Sequence, residues 1–173
     1  MATSNAGSSF RRKRALVIGN NNYSRPDSKL RHCINDANDL SKLLEKISFK
    51  VTTHHDLTNE QMVKAIRDFG NTIVDGDLGR GLHVIDPPAD TFVQFACAAN
   101  KTASDGLETD QNGLFTKHLL KHIANSNEDI IQIFQGVAAD VFLESNRKQK
   151  PLGMNGILRP GRIYLKDATV IDQ

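Results

Sequence analysis

The chain has 173 residues, 39% of them hydrophobic and 24% charged, which is the make-up of one soluble globular domain with enough apolar content to bury a core. A formal net charge of +2 argues against a dedicated nucleic-acid or membrane surface. Two cysteines, Cys33 and Cys97, exclude a disulfide framework, and no apolar run is long enough to span a bilayer.

The first residues, Met1 to Phe10, are rich in Ser, Ala, Gly and Asn and lack the apolar centre of a signal peptide. Together with the basic run that begins at Arg11, residues 1–13 are expected as a disordered basic tail of a cytoplasmic protein, followed by one domain over 14–173. Ala15-Leu16-Val17-Ile18-Gly19 reads as a strand buried on both faces. After a polar loop that contains Pro26, Ile34, Ala37, Leu40, Leu43, Leu44 and Ile47 recur at the spacing of an amphipathic helix. Phe49 to Thr53 is the next strand, and His54-His55 is expected in a solvated loop after it. Thr58 and Gln61 have capping-box spacing and predict a helix from about Asn59, with Val63, Ile66, Phe69 and Ile73 on its apolar side. Strand, helix, strand, helix is the order of a parallel α/β sheet.

The order then breaks. Asp75-Gly76-Asp77-Leu78 leads into Gly79-Arg80-Gly81 and Pro87-Pro88 before the next convincing strand, Thr91 to Cys97. A parallel strand needs a crossover of about a dozen residues or more, and no helix is available here to supply it. Further on, Leu114, Phe115, Leu119, Leu120 and Ile123 predict a helix starting near Asn112 or Gly113. Ile130, Ile133, Phe134, Val137 and Val141 predict another, ending near Asn146. The stretch around Pro151 reads as a Gly-containing loop, and Arg162-Ile163-Tyr164-Leu165 as a short closing strand.

Several of these stretches carry a resemblance. Ala15 to Asn20 followed by Tyr23, then Asn35-Asp36-Ala37, then Asp56-Leu57-Thr58, then Pro87-Pro88, Lys101 to Gly106 and Asn112 to Thr116 occur in the order found in caspase-like cysteine peptidases, and the chain is similar to their paracaspase and metacaspase-like branch from about Arg14 to Ile157. The resemblance implies a caspase-like α/β sandwich, a mostly parallel sheet flanked by helices. It also implies peptide cleavage through a thioester, after Arg or Lys.

The departure from that pattern is as specific. Relatives carry a histidine in a Ser-Gly-His-Gly turn after the third strand and a nucleophile in an Asp-Cys or Asp-x-Cys turn after the fourth. Neither turn is present, and Leu78 runs almost directly into Arg80-Gly81-Leu82, so the sheet is expected to be truncated in its central strands, with a deletion near 78–80. No residue is therefore assigned as catalytic. A thiol protease needs a thiolate with a histidine to activate it. Cys97 falls in the strand after the missing nucleophile and reads as a buried strand cysteine, Cys33 has no role in the family, and His83 lacks the Gly-flanked turn. His118 and His122 are four apart beside Lys117 and Lys121, and read as an exposed basic helix face rather than a metal pair. Asn20 and Asn22 read as loop-shaping residues.

Asp36 and Asp105 are the residues to which the resemblance gives a substrate-binding role. A carboxylate at the position of Asp36 would pair with the Arg or Lys of a peptide substrate, helix capping or a plain surface acid being the alternative for both. No metal and no cofactor are implied. The partner the resemblance implies is another caspase-like chain, as a homodimer or with an intact paralogue, through the closing strand. Loss of two central strands leaves edges to be covered either by pairing of Thr91–Cys97 beside Ala15–Gly19 or by partial disorder, chaperone capture or aggregation; one compacted sheet of four or five strands is expected, with a lower stability than intact relatives have.

Overall fold

The structure is a computed structural model that describes residues 13–22, 30–72, 90–97, 103–104, 106, 109–125 and 127–166. Its elements in chain order are β1 (Arg14–Gly19), α1 (Cys33–Lys46), β2 (Lys50–His55), α2 (Asn59–Asn71), β3 (Phe92–Phe95), α3 (Leu114–Asn125), α4 (Ile130–Glu144) and β4 (Leu152–Asn155).

β1 and β2 pair in parallel, in register from Arg14 opposite Lys50 to Gly19 opposite His55. Strand alternation turns Ala15, Val17 and Gly19 towards α1, and Val51 and Thr53 with them. Ser41 of α1 reaches that face, its Oγ lying 2.7 Å from Thr53 Oγ1. Gly19 is required where β1 ends under α1: a Cβ there would lie 2.1 Å from the Cys33 carbonyl oxygen and 2.8 Å from Ala37 Cβ. The opposite face carries Arg14, Leu16 and Ile18 beside Lys50, Thr52 and His54.

α2 begins as expected. Gln61 N–H donates to Thr58 Oγ1 at 3.3 Å, and Thr58 N–H donates back to Gln61 Oε1 at 2.9 Å. α4 has a second capping box that sequence reading overlooked. Asp129 Oδ1 accepts from Ile131 N at 2.9 Å and Gln132 N at 3.0 Å, while Asp129 N donates to Gln132 Oε1 at 3.2 Å. Asp-x-x-Gln before an apolar run was its signal.

The centre of the core lies between α3 and α4, where Ile133, Val137 and Val141 form a stripe at four-residue spacing and are at most 1% exposed. Leu114, Leu119 and Ile123 of α3 meet them, and Val17, Ala37 and Leu44 extend the same cluster to β1 and α1. Two contacts bring in the late segment: Ile163 O accepts from Ile130 N at 2.8 Å, and Lys13 Nζ donates to Leu165 O at 3.1 Å.

Four expectations are corrected. Instead of one sheet of four or five strands, the described residues form two pairs: β1 with β2 in parallel, and β3 with β4 antiparallel. The expected pairing of Thr91–Cys97 with Ala15–Gly19 is replaced because β4 supplies β3 with a nearer partner, Phe92 to Phe95 running opposite Asn155 to Leu152. The closing strand is therefore Leu152–Asn155, from a stretch that reads as loop, while Arg162–Leu165 contributes a single bridge, Tyr164 to Asp129. His54 and His55 lie inside β2 rather than in a loop, because parallel pairing continues to the end of β1. No helix among the described residues is long and apolar enough to cross a membrane.

Candidate functional site

Asp36 sits in the first turn of α1, facing the start of α3. Its Oδ1 accepts from Gly113 N at 2.9 Å. Asn112 Nδ2 donates to Asp39 Oδ2 at 3.1 Å and Asn35 Nδ2 to Gln111 O at 2.6 Å, so one face of α1 holds residues 111–113 in place. Burial pushes the Asp36 carboxyl above its ordinary value, against the lowering effect of hydrogen bonds from Gly113, Asn112 and Thr116. The carboxylate thus does the work of a helix N-cap from a neighbouring helix, satisfying a donor that α3 cannot satisfy itself. Gly113 is glycine for a matching reason: a Cβ there would lie 2.9 Å from Asp36 Oδ2.

Asp105 lies outside the described residues, but its neighbour Ser104 does not. Ser104 N donates to Gln149 Oε1 at 2.7 Å, and Gln149 Nε2 donates to Ala96 O at 2.8 Å. Gln149 is 2% exposed and so links the end of β3 to the loop that leads to α3. Sequence reading missed it, since a glutamine between Lys148 and Lys150 has the signature of a solvated turn.

Cys97 follows β3 and is half-buried, and burial pushes its thiol up from the ordinary value. A thiol held protonated in this way is a poor nucleophile. Cys33 is the first residue of α1, also half-buried. His83 lies outside the described residues. The loop after β1 is shaped by the Asn20 side chain, as expected, whereas Asn22 takes part through its backbone N–H. Asn20 Nδ2 donates to Leu57 O at 3.1 Å and its Oδ1 accepts from Leu57 N at 3.0 Å, while Asp56 Oδ1 accepts from Asn21 N at 2.8 Å and Asn22 N at 3.0 Å.

His118 and His122 are corrected. They form no exposed basic face but look inward at α4, where Asp140 and Glu144 repeat the same four-residue spacing. His118 is 7% exposed, with Nε2 2.8 Å from Glu144 Oε2 and Nδ1 3.3 Å from Asp140 Oδ2. His122 Nε2 lies 2.9 Å from Asp140 Oδ2. Gly136 makes room for the His122 ring, since a Cβ there would lie 2.6 Å from it. Among the described residues, no group of three or more His, Cys, Asp or Glu is arranged to hold a metal ion.

A family model described as the caspase domain matches the chain in two segments, residues 12–83 and 79–156. Among solved structures the chain is similar to caspase-1 from Spodoptera frugiperda, with a TM-score of 0.64 and 14% identity over 92% of this chain and 91% of that one. At that identity the likeness speaks for the fold: a caspase-like α/β arrangement of helices and a parallel strand pair. No curated protein matches the chain. With the family model covering most of its length, the chain belongs to the caspase-domain family.

Proposed function

We propose that this chain is a caspase-family peptidase homologue of the paracaspase and metacaspase-like branch that does not itself cleave peptides. The observation that carries this reading is the two-part family match, whose segments meet at 79–83. That junction coincides with the break from which the sequence lacks both a Gly-flanked histidine turn and an Asp-Cys turn. The protonated state favoured at Cys97 supports the same reading. On this view Asp36 and Asp105 are the remains of a pocket for an Arg or Lys side chain, and Asp36 now serves the start of α3. The reading places the protein in the cytoplasm.

The test is incubation of the purified chain with fluorogenic peptides ending in Arg or Lys, with and without calcium, beside a Cys97→Ala variant. No turnover from folded, monodisperse protein is the expected result. Turnover that Cys97→Ala abolishes would instead make Cys97 the nucleophile of a rearranged site.

A second reading is favoured by β4. Among the described residues it pairs on one edge only, with β3, and Leu152 on it is 38% exposed. Such an edge can pair with the same edge of another caspase-like chain. The protein would then act as a pseudoprotease that scaffolds or dampens an intact paralogue. Saturable binding to that paralogue, lost when Met154 is replaced by proline, is its expected signature.

A further inference from the structure

We propose that the groove between the β1–β2 sheet and α2 is a docking site for an acidic peptide segment of a partner protein, one that brings a bulky apolar side chain flanked by carboxylates. The groove encloses about 370 Å³, within the size range of ligand clefts. It lies on the sheet face opposite α1, away from Asp36, and does not depend on the reading of the family site. Leu16, Leu57, Ala65 and Phe69 supply apolar lining, and Arg14, Lys50 and Lys64 supply cations.

Charge identifies the occupant. Asp68 is the single carboxylate among the lining residues, and it is already paired with Lys64 one helical turn away. Arg14 and Lys50 are left facing the groove with no carboxylate of the lining to share. They are also directly opposite each other in the parallel register, and both are exposed. Like charges placed opposite one another on a sheet face repel, and an anionic group between them converts that repulsion into attraction. The apolar lining argues that the anion is attached to something greasy. α2 is seated loosely enough to admit it: Gly70 is the one residue of the helix that is buried, and Val63 is 37% exposed. A phosphate backbone would use the cations and leave Leu16 and Phe69 unmatched, so a peptide is the better fit.

The experiment is fluorescence polarisation of the full chain with a labelled hexapeptide that has Leu-Phe at its centre and two glutamates on each side. Saturable binding that weakens as salt is raised is expected, because exposed charges are screened. Reversing both cations in Arg14→Glu/Lys50→Glu is expected to weaken binding about tenfold or more, the effect of two exposed ion pairs lost and replaced by repulsion. Both side chains are exposed, so the variant should melt as the parent does. A peptide with lysines in place of the glutamates should bind the reversed variant and not the parent, a rescue that misfolding could not produce. The proposal fails if the parent does not bind the acidic peptide, or if the reversed variant binds it equally well. It fails too if a Gly-Gly centre or a short oligothymidylate of equal charge binds as tightly as Leu-Phe.

Discussion

His118 Nε2 and Glu144 Oε2 face each other at 2.8 Å across the α3–α4 interface, on a ring whose side chain is only 9% exposed. Because a carboxylate accepts, Nε2 carries the proton and donates. This bond differs from the neighbouring Lys117–Glu144 pair, whose side chains are 50% and 44% exposed. His118→Ala empties a buried site and should cost about 2–4 kcal/mol. Lys117→Ala should cost less than about 1 kcal/mol, as exposed ion pairs do. Urea denaturation of the two variants separates them, and equal losses would mean that His118 is not a core residue.

The same cluster sets an acid limit. A hydrogen bond from His122 holds the Asp140 carboxyl below its ordinary 3.8, and one from Lys117 holds Glu144 below 4.5, His118 adding to both. A depressed carboxylate contributes stability that is present above the ordinary value and is lost as pH falls through the folded value. The urea midpoint should therefore drop as pH is taken below about 4.5. An Asp140→Asn/Glu144→Gln variant should show a shallower drop. The Asp140 and Glu144 side chains are 37% and 44% exposed, so added salt should shrink the difference.

Asp36 has the opposite sign. Its carboxyl is raised by burial, so the folded state holds the proton more tightly than the unfolded chain does, and this group's contribution declines as pH rises above the ordinary 3.8. At neutral pH, Asp36→Asn keeps an acceptor for Gly113 N and removes the buried charge. It should be at least as stable as the parent, whereas Asp36→Ala should lose about 1 kcal/mol with the cap. Thermal melts at pH 7 test the order, and an Asn variant less stable than the Ala variant would refute the capping role.

Two glycines should respond differently to alanine. At Gly19 the new Cβ meets backbone, the Cys33 carbonyl at 2.1 Å, which can move only by lifting α1 off the sheet. A loss of about 3 kcal/mol or more, or no soluble protein, is expected. At Gly136 the obstacle is the His122 ring at 2.6 Å, which can rotate away at the expense of its Asp140 bond. Alanine also improves helix propensity there by about 1 kcal/mol, so the net change should be small. Comparing the two melting temperatures decides the point.

Much of the architecture is legible in local pattern. The all-apolar run 15–19, the three-to-four spacing of the four helices and the Thr58–Gln61 box each specify an element through neighbours a few residues away. What escaped reading is what distant partners decide. Leu152-Gly153-Met154-Asn155 is short, follows Pro151 and carries Gly and Asn, so it reads as loop, and it becomes a strand because β3 lies beside it. His118 and His122 look like part of a lysine-rich surface until Asp140 and Glu144 are seen at matching spacing on the next helix. Asp36 was legible as a notable acid, but its bond to Gly113, 77 positions away, belongs to the tertiary fold.

The contact between Lys13 and the Leu165 carbonyl spans 152 positions of the chain. A ribosome releases the beginning of β1 long before it delivers the residue that closes over it. Contacts of such separation form late and slow the search for the native state. Until then the nascent β1–α1–β2 unit must wait with its apolar side towards α3 and α4 open to the cell, which makes synthesis, rather than the finished protein, the stage at which chaperones matter most to this chain.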